Sequence, residues 1–321
     1  MDRREFLAAA AAGSVAFASQ PYAYAARLGG SGVAYVTADL ESHVVVVALG
    51  DGETVARIRT APGPRSIESV HGRTALIAHT DHGLVTLLDV ATRRIRAELD
   101  GLEAPRYTAV HPKLPLAYVT DSASEEVVVV DVDRAKVLWR TQVPGPARHV
   151  SITPDGRTIW TALGTKAERV AVLDADDPRR PKLVRTFAAP FLAHDVVFAP
   201  DGGTAWVTSG SEHAVALYRP GSKNPARILP ADAPPQHVAF ARGKAFVASG
   251  DDGTLRRHRL DGELVREASV PLGSYNVTFA YGRLVTPSLG QGTLSLLDRN
   301  GRVRAVRRVA RAAHDACILV T

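Results

Sequence analysis

A chain of 321 residues, 45% of them hydrophobic, is long enough for a large buried core, yet its single cysteine, Cys317, excludes a disulfide framework or a cysteine zinc site within one chain. Its 39 Lys and Arg stand against 33 Asp and Glu, a net charge of +6 that is too balanced to mark a nucleic-acid or membrane-surface protein. Beyond residue 25 no run approaches the ~18 consecutive apolar residues that span a bilayer.

The chain opens with Arg3-Arg4-Glu5-Phe6-Leu7, an Ala-rich stretch to Ala18 and Ala23-Tyr24-Ala25. A twin arginine, a mildly apolar segment and an A-x-A site resemble a twin-arginine (Tat) export signal, which sets residues 1–25 apart as a signal peptide cleaved after Ala25. The remainder is expected outside the cytoplasm, periplasmic or extracellular, with no membrane span.

From residue 26 the chain repeats itself. Runs patterned on Ala34-Tyr35-Val36-Thr37 recur from Ala75, Ala117, Ile159, Ala205, Ala245 and Leu284, spaced 41, 42, 42, 46, 40 and 39 residues apart. A second β-rich run follows each (44–47, 84–89, 127–132, 170–174, 214–218, 255–260 and 294–298), and a third begins near Val55, Ile95, Val137, Leu183, Ala226, Leu264 and Val303. The runs are rich in Val, Ile, Thr and aromatics, and Pro-Asp-Gly, Gly-Asp-Gly, Asp-Gly and Asn-Gly turns separate them, which is hairpin chemistry. About forty residues with four short strands per unit define a propeller blade.

The fourth, innermost strand of each unit precedes the Ala-Tyr-Val-Thr-like run. Six such strands are visible, at 65–70, 106–110, 148–153, 194–199, 236–241 and 275–280, and the seventh stands at the far end of the chain. There His314-Asp315-Ala316-Cys317-Ile318-Leu319 aligns with His194-Asp195-Val196-Val197-Phe198-Ala199. The predicted fold is therefore all-β: a seven-bladed β-propeller of four-stranded antiparallel blades, its ring closed by the C-terminal strand joining the N-terminal blade. Within 26–321, blade one takes 310–321 plus 33–60; blades two to seven take 61–102, 103–143, 144–188, 189–230, 231–270 and 271–309. Cys317 is expected in a central strand as a buried small hydrophobe.

With Ala-Tyr-Val-Thr at 34–37 and again at 117–120, and Pro154-Asp155-Gly156 followed by Val170-Ala171-Val172-Leu173-Asp174, the chain resembles the YVTN family of β-propellers, which includes YncE-like periplasmic proteins. The resemblance covers all of 26–321. It implies the seven-bladed fold and a range of roles, since this family and its neighbours include DNA-binding, surface-layer and electron-transfer-associated propellers, with lactonases and streptogramin lyases as related enzymes.

In a propeller the start of each inner strand and the loop between the second and third strands share one face, around the mouth of the central channel. From blade one to blade seven the first two inner-strand residues are His314-Asp315, Arg65-Ser66, Arg106-Tyr107, Arg148-His149, His194-Asp195, Gln236-His237 and Tyr275-Asn276. Eight of the eleven histidines fall at this face, the exceptions being His71, His111 and His258. An arginine arc facing a His/Asp arc suits an anionic ligand, because guanidinium binds carboxylate or phosphate bidentately and imidazole supplies a base or a metal ligand. Candidate ligand-binding residues are Arg65, Arg106, Tyr107, Arg148, His149, His237, Tyr275 and Asn276. Candidates for a His-bound divalent metal are His149, His194, His237 and His314, and candidates for catalysis are His194 and His314 with Asp195 and Asp315.

The leading expectation is an extracytoplasmic, monomeric binding or scaffold propeller whose mouth takes a small anion, a metal or a partner protein. The alternative is a lactone-type hydrolase or lyase with His194 or His314 as general base, the neighbouring Asp as orienter and the arginine arc holding a substrate carboxylate. No G-x-S-x-G, Walker, G-x-G-x-x-G, C-x-x-C-H or HExxH motif is present. Nucleic acid is the weakest partner class: the basic run Arg302, Arg304, Arg307, Arg308 and Arg311 reads first as protection of an outer strand edge.

Overall fold

The computed structural model describes residues 32–164 and 168–320, so the expected signal segment lies outside the described residues. Seven four-stranded antiparallel sheets form a ring, with a single 3-10 turn at Thr80–His82 as the only helical element among the described residues. Blade one is built from both ends of the chain. Its inner strand, Ala313–Val320, pairs antiparallel with Gly32–Ala38, setting Cys317 opposite Tyr35 and Leu319 opposite Val33. Closure thus joins two edges that would otherwise be open to another strand.

No single core exists. Seven apolar clusters each bridge two neighbouring blades, so every blade buries both of its faces. This explains why the middle strands are continuously apolar instead of alternating: Val44, Val45, Val46 and Val47 are all fully buried. The outermost strands face water on one edge and carry charge. Arg304 in the strand Val303–Arg308 is exposed and pairs with Asp298 at 2.6 Å. Trp160 and Trp206 pack inside blades, whereas Trp139 lies on an outer strand, 41% exposed, with the Arg180 guanidinium 5.2 Å from its ring.

The repeated Ala-Tyr-Val-Thr run has a physical role in joining blades. Tyr and Thr two residues apart share one sheet face, and here both address the following blade. The Tyr35 hydroxyl donates to Val90 O at 3.2 Å and that of Tyr118 to Pro178 O at 2.9 Å. At the mouth, Thr37 Oγ1 donates to Arg65 O at 3.0 Å and Thr208 Oγ1 to Gln236 O at 2.9 Å, while Thr120 Oγ1 reaches Arg148 O. Ser66 Oγ makes the equivalent contact with Arg106 O.

Two inner strands start later than the sequence pattern places them, at Val238 in blade six and Thr278 in blade seven. In blade seven, which starts later still, the cause is a proline. Ala248 N in blade six donates to His237 O at 2.9 Å, and the matching position in blade seven is Pro287, which has no N–H. The Asn276 carbonyl accepts from Thr286 Oγ1 at 2.5 Å instead, and the ladder begins two residues on.

Candidate functional site

In blades one, three, four and five the first inner-strand residues lie in a register shift, where two residues face one on the neighbouring strand. The paired residues are His314-Asp315, Arg106-Tyr107, Arg148-His149 and His194-Asp195. Such a bulge re-aims side chains that a regular strand would bury between blades. Threonine holds three of the four: the N–H of Asp315, Tyr107 and Asp195 donates to Thr37, Thr120 and Thr208 Oγ1 at 2.9, 3.0 and 3.0 Å.

Three of the four candidate metal ligands converge. One ring nitrogen each of His149, His194 and His237 lies within 4.8 Å of the others. His149 Nε2 is 3.3 Å from His237 Nε2, and the His149 and His194 ring centroids are 4.5 Å apart. Two nitrogens bound to one tetrahedral zinc at about 2.0–2.1 Å stand roughly 3.3–3.4 Å apart, so one edge of a coordination polyhedron is already set. All three imidazoles are buried, with relative exposures of 2%, 5% and 9%.

The surroundings favour neutral His149 and His194. Burial, with the adjoining imidazoles and Arg148, pushes His149 well below the ordinary histidine value, and burial with His237 and Arg148 does the same to His194. Asp195 Oδ2 lies 3.3 Å from His237 Nδ1, which places the proton there and leaves Nε2 for a metal. Tyr107 stacks on His149 with centroids 3.8 Å apart, closing one side.

His314 stands apart from this cluster. Its Nδ1 is 2.9 Å from Asp39 Oδ2, and Arg65 Nη1 approaches the same oxygen at 3.7 Å. Burial opposes a charged Asp39, but the hydrogen bond with His314 and the fields of His314 and Arg65 prevail and hold its carboxyl below the usual range. The histidine's carboxylate partner is thus Asp39, not the adjacent Asp315. Asp315 serves the backbone: Oδ2 accepts Ile67 N of blade two at 3.0 Å and Oδ1 accepts Ala316 N at 2.8 Å. Asp195 repeats the pattern, accepting Val196 N at 2.8 Å and Val238 N of blade six at 3.4 Å. The Ala-His-Asp repeat therefore clips one blade to the next, and Asp195 differs in also reaching a histidine.

The remaining candidates divide in two. Tyr275 donates to Asp251 Oδ1 at 2.7 Å and lies over Gly250, where a Cβ would collide with its ring; Asn276 Nδ2 donates to His314 O at 3.3 Å. Both support the rim between blades six, seven and one. Arg65, Arg106 and Arg148 form a positive arc beside the histidines. Burial, then Arg65 and Arg148, pushes Arg106 down, and burial with Arg65 lowers Arg148 despite the opposing Tyr107. Glu68, inside an inner strand, is the group the sequence pattern passed over. Its one signal is a carboxylate within Ser66-Ile67-Glu68-Ser69-Val70, on a strand edge that lines the channel. Its side chain is solvent-exposed, yet the protein packed around it and the charge of Asp315 push it up to about 8.

Neither a protein-family model nor a curated protein matches the chain. Solved structures do match it. A functionally unknown protein from Desulfotomaculum acetoxidans superposes with a TM-score of 0.77 at 13% identity, covering 90% of this chain and 99% of that one. Apo AztD from Citrobacter koseri gives 0.70 at 12% identity, over 90% and 98%. Hydrazine synthase of Kuenenia stuttgartiensis gives 0.67 at 16% identity, over 81% and 96%. The likeness is one of fold.

Proposed function

We propose that this is an exported, YVTN-type propeller that binds a divalent transition metal of the zinc class at its channel mouth, through His149, His194 and His237. One observation carries the reading: three imidazoles from three successive blades bring ring nitrogens within 4.8 Å of one another in a buried setting. Imidazole suits zinc, copper and nickel, and three such ligands leave a coordination position open. The lowered His149 and His194 add to this, since metal binding requires deprotonated ligands. The Asp195–His237 contact supplies the outer carboxylate common behind metal-bound histidines. The twin-arginine leader agrees with it, because that route exports proteins already folded and is often used by cofactor-loaded ones.

The test is a zinc titration of the purified chain followed by calorimetry, with His149→Ala, His194→Ala and His237→Ala beside it. One ion per chain is expected, with at least a ten-fold loss of affinity in each variant. Absence of stoichiometric binding of zinc, copper or nickel to the unaltered chain would overturn the reading.

A further inference from the structure

Arg148 acts electrostatically on His149 and His194, and Arg65 and Arg148 act on Arg106, so a group of cations borders the three histidines. We infer that the open coordination position is taken by a small oxyanion, a carboxylate or a phosphate, which Arg148 holds in its fork with Arg65 and Arg106 beside it. This rests on the metal reading above and adds the class of the bound ligand.

The first argument is adjacency. Tyr107 stacks on His149 at 3.8 Å, and Arg148, from the same bulge as His149, is near enough to act electrostatically on Tyr107. Arg148 is near enough to act electrostatically on both His149 and His194. An oxyanion held by this guanidinium is therefore within electrostatic reach of the metal ligands.

The second argument is unused hydrogen-bonding capacity. The Nε atoms of Arg65 and Arg148 are buried and have no hydrogen-bond partner among the described residues. Nε forms half of the side-on fork that a guanidinium offers to a carboxylate or phosphate. A buried donor left unmade is costly, and an acceptor reaching Arg65 and Arg148, on either side of Arg106, offsets that cost.

The third argument is charge. Three guanidiniums crowd one arc, and among the described residues their sole ion pair is Arg65 with Asp39 at 3.7 Å, an oxygen already engaged by His314. Asp81 acts on Arg106 only through the field, with no ion pair. A divalent metal bound to neutral histidines adds further positive charge, which an anion between metal and arginines offsets.

The experiment uses the cobalt(II)-loaded chain, titrated separately with inorganic phosphate and with succinate. Visible absorption of the cobalt centre and the melting temperature are read together. At least one anion is expected to change the cobalt spectrum and raise the melting temperature, and the two arms separate phosphate from carboxylate. Arg148→Lys keeps the charge but loses the fork, and should weaken that response roughly ten-fold; its anion-free cobalt spectrum verifies that its centre is loaded. Arg106→Lys reads the same loss if Arg148→Lys does not fold. Cobalt binding with no response to either anion overturns the inference while leaving the metal reading intact. Failure of cobalt to bind, with anions still raising the melting temperature, removes the metal reading and the bridging role together.

Discussion

His149 Nε2 and His237 Nε2 lie 3.3 Å apart although 88 residues separate them in the chain. Blades four and six meet across His194 of blade five only because the ring is closed and its inner strands crowd the axis. The contact is a consequence of topology, and it turns three unremarkable strand starts into a potential coordination site.

Acid should destabilise the metal-free chain. His149 and His194 are held well below their ordinary value of 6.5, chiefly by burial, so they stay neutral when folded but charge on unfolding. Their depressed folded values mean that this stability is complete above pH 6.5 and is lost as pH falls below it. The melting temperature of the apo chain should fall with pH in that range, and bound zinc should be released there. The His149→Gln, His194→Gln double variant should show a shallower fall; identical pH profiles would contradict the assignment.

Thr208 should couple stability to the site. Its hydroxyl accepts Asp195 N and donates to Gln236 O, and Asp195 in turn reaches His237. Thr208→Val leaves both backbone groups unsatisfied at a cost of about 1–3 kcal/mol, and zinc affinity should fall with it. Thr37→Val breaks the matching pair, Asp315 N and Arg65 O, in blades one and two, which supply none of the three histidines. It should cost similar stability with little effect on zinc affinity. Equal losses of affinity would show that Thr208 acts only through global stability.

The architecture was legible because blades are written as period. The Ala-Tyr-Val-Thr spacing gives the blade count, and the likeness of 314–319 to 194–199 gives closure. The mouth was legible as a set of positions. Which members meet was not, because position around the ring fixes an angle and not a reach. His194 and His314 occupy matching bulges in Ala-His-Asp repeats, yet His314 is captured by Asp39 of its own blade while His194 turns toward His149 and His237. The Asp beside each histidine looked like its orienter; the bulge sends adjacent side chains apart, so each Asp meets the next blade instead. The late start of the blade-seven inner strand was latent in Pro287, readable only once its neighbour's hydrogen bond is known.

Glu68 should make the chain lose stability as pH rises from acid toward neutrality. Its folded value is raised from 4.5 to about 8, with the protein packed around it the main cause and Asp315 the second. A raised carboxyl contributes its stability in full below the unfolded value and loses it as pH rises through the folded one. The unaltered chain should therefore lose melting temperature between about pH 4.5 and 8 relative to Glu68→Gln, which carries no such proton. Parallel profiles would show that the carboxylate is freely solvated.

Ring closure can be tested with the only thiol. Cys317 is 2% exposed in the closing strand, and burial pushes its thiol well above the ordinary value. A thiol reagent should react with it no faster than the chain unfolds. Removing residues 311–321 deletes the inner strand of blade one, so the truncated chain should lose its cooperative melting transition. Fast labelling of the folded chain, or an unchanged transition after truncation, would argue against closure.

The most direct test of the metal centre is X-ray absorption spectroscopy of the zinc-loaded chain. Three imidazole nitrogens at about 2.0–2.1 Å from a single zinc are expected, falling to two in His237→Ala. A zinc shell made of oxygen, or one that His237→Ala leaves unchanged, would contradict the coordination proposed for His149, His194 and His237.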